Sequence, residues 1–151
     1  TDLYGCVGNS LADIDDAATK RRITITVNKA GGDADMFLIA ADPALLELAV
    51  GNLLRNAVVH NTDDGSIDVT VVSDEDGSGP RLTVTNTTDE MLPDDLNELT
   101  QPFHRGENSR ISAVPGVGLG LSIASAACEA MGARLELGQP AEGEFRVSIR
   151  F

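Results

Sequence analysis

Asn52 and Asn56 lie four residues apart in LLELAVGNLLRNAVVHN, and Gly116, Gly118 and Gly120 follow in PGVGLGLSIA. An amide on a buried helix offers an oxygen that can hold a metal or a polar ligand. Oxygen ligands suit magnesium, which keeps several waters and bridges to substrate phosphates. A glycine-rich run that opens a helix bares backbone N–H groups, which bind anions. Together the two segments point to nucleotide binding. Asn52, Asn56 and His60 fall at i, i+4 and i+8, close to one helix face, while Leu46, Ala49, Leu53 and Ala57 make a separate apolar face. An unpaired buried amide costs a few kcal/mol, so a ligand or neighbouring backbone must satisfy each one, and the spacing fits both. His60, near the helix end, also suits a plain interaction with the helix dipole. The glycine run is neither G-x-G-x-x-G nor G-K-[ST], and a flexible joint fits it as well.

The elements that must carry these residues follow from periodicity. Residues 3 to 18 recur as a helix through Leu3, Val7, Leu11 and Ile14. Residues 22 to 28 alternate as a strand with Ile23, Ile25 and Val27 on one face; KAGGDAD reads as a turn and MFLIA as a short apolar strand. Asp42 is placed to cap a helix with Pro43 at its first position, running to about His60. NTDDGS breaks that helix. Strands are expected over 67 to 72 and 81 to 86, antiparallel across the short SDEDGSGP loop. From Thr87 to about Pro115 the pattern dissolves, except for a short helix in PDDLNEL, and a connection this long often serves as a lid. A helix over Gly118 to Met131, with Gly132 at C′, precedes strands in RLELG and GEFRVSIRF. The order places helices on one face of a mostly antiparallel sheet, an α+β sandwich without a dividing linker.

The 151 residues suffice for one domain with its own core. Against 24 acidic residues stand 11 basic ones, a net charge of −13, which repels DNA, RNA and anionic lipid but leaves a nucleotide offset by magnesium possible. Cys6 and Cys128 suggest neither a disulfide framework nor a thiolate metal site; Cys128, in ASAACEAMG, reads as core. No run approaches the roughly 20 apolar residues of a membrane span, and there is no signal-peptide pattern, so a cytoplasmic domain is expected. The chain opens at Thr1 without Met, which suggests a piece of a longer protein whose remainder could be anchored in the membrane.

Taken together, the segments resemble the ATP-binding catalytic domain of bacterial sensor histidine kinases, in the wider group shared with gyrase, Hsp90 and MutL. ADPALLELAVGNLLRNAVVHN is similar to the family's N box, LNELTQPFHRGENSR to its F box and the basic stretch after it, and GVGLGLSIA to its G2 box. The resemblance covers nearly the whole chain. It implies a Bergerat-type two-layer α/β sandwich, with three helices on one face of a mixed, mostly antiparallel sheet and a mobile ATP lid at about 90–117. It implies ATP and Mg2+ as cofactors, with Asn56 as the magnesium ligand. Asn52 stands where hydrolytic relatives carry a catalytic glutamate; an amide is no general base, which fits transfer to a protein rather than rapid hydrolysis. His60 falls near the ribose and phosphates. Gly116, Gly118 and Gly120 belong to the phosphate loop, Leu119 and Leu121 to the lid base and pocket wall, Phe103 to the lid anchor, and Met91 to the ATP site. Arg105 and Arg110 are the candidates for phosphate contact, with a surface salt bridge as the alternative for either.

Two departures from the pattern stand out. In VTNTTDEMLP, Asn86 holds the place of the aspartate that accepts from the adenine amino group, and Thr88 and Glu90 replace two glycines. Asn86 still accepts through its carbonyl oxygen, without the charge. Val59 stands where many relatives have a phosphate-contacting Lys or Arg. The resemblance further implies transfer of the γ-phosphate to a histidine on a separate dimeric helical domain, which is absent here, and relay to a response-regulator receiver. His60 and His104 lie in other boxes and neither reads as the acceptor. The fragment alone is expected to be monomeric and the full protein a homodimer. Two alternatives remain: a degenerate, non-catalytic module on the same fold, and a serine kinase of the anti-sigma type, which the F box FHRG disfavours.

Overall fold

In a computed structural model that describes residues 1–73, 77–101 and 120–151, two layers form, one of helices and one of strands. The helices are α1 (Leu3–Lys20), α2 (Pro43–Val59) and α3 (Gly120–Met131), and the strands β1 (Thr24–Ala30), β2 (Ser66–Val72), β3 (Arg81–Thr87), β4 (Arg134–Gly138) and β5 (Glu144–Arg150). Both long helices start on an aspartate, as free N–H groups in a first turn require. Asp2 accepts from the Tyr4 N–H at 3.0 Å and Asp42 from the Ala44 N–H at 2.8 Å, with Pro43 opening α2.

The sheet runs in the order β1-β2-β3-β5-β4. Only β1 and β2 pair in parallel, because α2 crosses between them; the other three pairings are antiparallel. Alternation puts one set of side chains under the helices. One row across the sheet reads Val27, Val69, Val84, Val147 and Leu137, and the next Val71, Leu82, Ile149 and Leu135. These rows meet Leu46, Ala49, Leu53 and Ala57 of α2, Leu3, Val7 and Ile14 of α1, and Ala124, Ala127 and Cys128 of α3 in one core. The expected sandwich is therefore present, and α2, apolar nearly all round, is its central helix. Among the described residues, no helix is long and apolar enough to cross a membrane.

Three expectations need correction. MFLIA is not a strand: Ala34–Phe37 forms a 3₁₀ turn, and Leu38 makes only an isolated bridge to Asp2. The reason is packing. Phe37 turns into the core and carries the Lys29 ammonium 4.5 Å over its ring, while the chain beyond it is spent on the N-terminus, with the Thr1 ammonium donating to the Ile39 carbonyl at 2.9 Å. The strand expected over 22 to 28 begins at Thr24, and as an edge strand it leaves Val27 40% exposed although its face is the inner one. The short helix in PDDLNEL is a 3₁₀ segment displaced to Leu96–Thr100.

Candidate functional site

The C-terminal half of α2 carries the polar face that the sequence singles out. Asn52 is buried, and its side-chain nitrogen donates to the Leu48 carbonyl at 2.7 Å. That bond occupies the nitrogen and suits the oxygen to an outside partner. Asn56, one turn on, is half-buried, and its backbone carbonyl accepts from the His60 N–H at 3.0 Å. His60 follows as the C-cap.

The exit of β3 comes up beside it. Asn86 is only 3% exposed, on the same sheet row as Ile67 and Phe145. Its Nδ2 donates to the Thr87 carbonyl at 2.9 Å, so its oxygen is the atom suited to accept. Thr88 sits where the resemblance expects glycine, yet the turn forms. Its N–H donates to the Gly143 carbonyl at 2.8 Å, and its hydroxyl accepts from the Glu90 N–H at 3.1 Å. A threonine hydroxyl closing a turn two residues on replaces the freedom that glycine would supply. The turn delivers Glu90 to α2: its Oε2 lies 2.5 Å from His60 Nδ1.

Behind this mouth lies a further amide that sequence reasoning missed. Asn61, 5% exposed, donates to the carbonyls of Ala57 at 3.1 Å and Ser66 at 3.0 Å, and accepts from the Thr62 N–H at 2.8 Å and the Thr87 hydroxyl at 2.5 Å. One side chain thus ties the end of α2 to the start of β2 and the end of β3. Gly65 must be glycine here: a Cβ would stand 2.2 Å from Asn61 Oδ1 and 2.3 Å from Thr87 Oγ1. Arg21 completes the joint. The last turn of α2 has no basic residue, and its bare carbonyls carry negative partial charge. The Arg21 guanidinium donates to the carbonyls of Val58, Val59 and Asn61, and pairs with Asp63 at 2.9 Å.

The contact of His60, the C-cap of α2, with Glu90 brings the helix that carries Asn52 and Asn56 to the β3 exit, where Asn86 and Thr88 lie. Met91, just past them, is 78% exposed. Gly120 is the first residue of α3, and Leu121 lies in the core at 6% exposure. Phe103, Arg105, Arg110, Gly116, Gly118 and Leu119, and with them most of the expected lid, lie outside the described residues. Among the described residues no three His, Cys, Asp or Glu side chains gather around a metal. The donor set is one of amide oxygens, which fits a hard cation that draws its other ligands from water and phosphate.

Comparison with known proteins fits this geometry. The family described as "Histidine kinase-, DNA gyrase B-, and HSP90-like ATPase" matches residues 41–151. The chain is 33% identical over 116 residues to the probable sensor protein PcoS of Escherichia coli, covering 77% of this chain and 23% of PcoS. Its backbone superposes on the catalytic domain of histidine kinase ThkA with a TM-score of 0.79 at 20% identity, over 100% of this chain and 92% of that one. Full-length ShkA, solved in complex with AMPPNP, gives 0.78 at 23% identity, over 99% of this chain and 30% of that one. The chain spans about a quarter of the length of the curated relatives it matches.

Proposed function

Because the chain belongs to the histidine kinase-, DNA gyrase B- and HSP90-like ATPases, we propose that it is the Mg-ATP-binding catalytic domain of a sensor histidine kinase. In that role it passes the γ-phosphate to a histidine on a separate helical domain, for relay to a response-regulator receiver. The observation that carries this reading is the meeting of the two polar segments: the α2 face with Asn52 and Asn56 is joined to the β3 exit with Asn86 and Thr88 by the 2.5 Å contact of His60 and Glu90. That ShkA, of the same fold, was solved with AMPPNP supports a nucleotide in such a crevice.

When bound, Mg-ATP supplies the phosphoryl group and the metal charge that offsets it. Asn56 offers an amide oxygen to the magnesium. Asn52 cannot take a proton from water, so this position orients and does not hydrolyse. Asn86 accepts the adenine amino group through Oδ1, its nitrogen being held by Thr87. His60 faces the ribose and phosphate side. Phe103, Arg105, Arg110, Gly116, Gly118, Leu119 and Met91, with Gly120 and Leu121, complete the proposed site. Catalysis is then mostly positioning and charge neutralisation. The domain acts in the cytoplasm, as a monomer when alone and within a homodimer in the whole protein.

Calorimetry with Mg-ATP on this chain and on Asn56→Ala tests the reading. Magnesium-dependent binding that weakens at least about tenfold in the variant is expected, the loss of one charge-assisted ligand being worth about 1.4 kcal/mol or more. A second reading, a degenerate module that acts by protein contact, draws on the glutamate at the mouth and on the apolar, exposed Val59. A folded wild-type domain that ignores millimolar ATP would favour it.

A further inference from the structure

Glu90 is out of place in a crevice meant for a polyanion. The chain carries a net charge of −13, Glu90 included, and a carboxylate at the mouth repels phosphate. Its surroundings explain its presence. The Thr88 hydroxyl holds the Glu90 N–H at 3.1 Å, and Thr88 is itself tied to Gly143 at 2.8 Å, so the turn that carries Glu90 is fixed at two points. From that turn the carboxylate reaches His60 Nδ1 at 2.5 Å. His60 is fixed from the other side as well, its N–H bonded to the Asn56 carbonyl at 3.0 Å.

A carboxylate only accepts hydrogen bonds, so the Nδ1 that meets it must carry the proton. The ring is thereby held in one orientation and one tautomer, as a carboxylate fixes an imidazole in many functional sites. We propose that Glu90 is the positioning residue for His60: it locks the Nδ1–H tautomer and leaves Nε2 as the ring atom that meets the nucleotide. The pairing also gives the Glu90 carboxylate a hydrogen-bond donor and turns it toward the ring. This inference rests on the nucleotide reading of the crevice. It turns the replacement of glycine by Glu90 from a lost feature into a substitute one, in a chain with no cation at Val59.

The test has two readouts on the full 151-residue chain. Long-range proton–nitrogen NMR of the imidazole, at about pH 8.5 where an ordinary histidine is neutral, gives the tautomer without any nucleotide. The expected result is Nδ1–H in the wild type, Nε2–H as the major form in Glu90→Ala, and Nδ1–H retained in Glu90→Gln, which keeps an acceptor oxygen. Mg-ATP affinity should fall about tenfold in Glu90→Ala, the lower end of what partners of a functional imidazole contribute, and stay within about threefold in Glu90→Gln. A wild-type Nε2–H form, or a tautomer unchanged in Glu90→Ala, would overturn the proposal. So would a tautomer that switches while affinity stays put. Wild-type protein with the Nδ1–H form but no Mg-ATP binding would sink the nucleotide reading, and the service of Glu90 to a nucleotide with it, while its hold on His60 would stand.

Discussion

Replacing Asn61 with alanine should destabilise the domain more than replacing Asn52, although both are buried amides close to the crevice. The four bonds of Asn61 are not equal. Ala57 is in the last turn of α2, and the N–H groups of His60 and Asn61 go to Asn56 and Val58, so the Ala57 carbonyl depends on Asn61 Nδ2. The Ser66 carbonyl faces β3 at the start of the β2–β3 ladder, so the ladder still serves it when Asn61 is removed. The Thr62 N–H is half-exposed and can turn to water, and the Thr87 hydroxyl keeps the Ser66 N–H at 2.9 Å. One acceptor is thus stranded at about 1–3 kcal/mol, and three further bonds are lost at roughly 0.5–1 kcal/mol each. A water entering the vacated space recovers part of this, which leaves a loss of about 3 kcal/mol. Asn52, by contrast, donates to the Leu48 carbonyl, which the helix already serves, and its removal should cost less than about 1 kcal/mol. In urea titrations followed by circular dichroism, with a slope of about 2 kcal/mol per molar, the Asn61→Ala midpoint should fall by about 1.5 M and that of Asn52→Ala by less than about 0.5 M. Equal shifts in the two variants would refute the division into a structural amide and a site amide.

Two further expectations concern the frame. Arg21→Lys should cost about 1–2 kcal/mol by the same titration, because a lysine ammonium cannot span the carbonyls of Val58, Val59 and Asn61 as the guanidinium fork does; an unchanged midpoint would remove Arg21 as the cap of α2. Burial pushes the Cys128 thiol up to about 11. The folded state therefore favours the neutral thiol, so its contribution to stability is complete below the unfolded thiol's range, near 8.5, and is lost as pH rises from there through about 11. Alkylation at pH 8 should accordingly be slow in the native protein and fast in urea, and rapid native labelling of Cys128 would contradict the burial.

Much of the site could be read from the chain because its carriers are periodic. Asn52 and Asn56 stand out since α2 is otherwise mostly apolar, and the same contrast fixes α2 as the central helix. Asp42 and Pro43 announce the start of that helix by their own chemistry. MFLIA misleads because a run of apolar residues without polar alternation has no period to distinguish a strand from a tight turn; only the pocket that takes Phe37 decides. Asn61 is hidden for the opposite reason. It sits among NTDDGS, where polar residues signal a loop, and three of its four partners come from three separate elements. Glu90 reads as a departure from a pattern until His60, distant in sequence, supplies its meaning.

The position of β5 in the sheet has a consequence for how the chain reaches this state. It is the last strand in the sequence, yet it lies between β3 and β4 and pairs with both, Arg81 with Arg150 at one end of the ladder and Thr87 with Glu144 at the other. While a ribosome extends the chain, β3 must wait with an open edge, since its neighbour emerges after every other strand of the sheet. Pairings between residues so far apart form slowly. The nascent domain therefore holds an unpaired β3 edge, the kind that recruits foreign strands, until β5 has been made. A nonsense codon just ahead of Glu144 would leave that edge open for good.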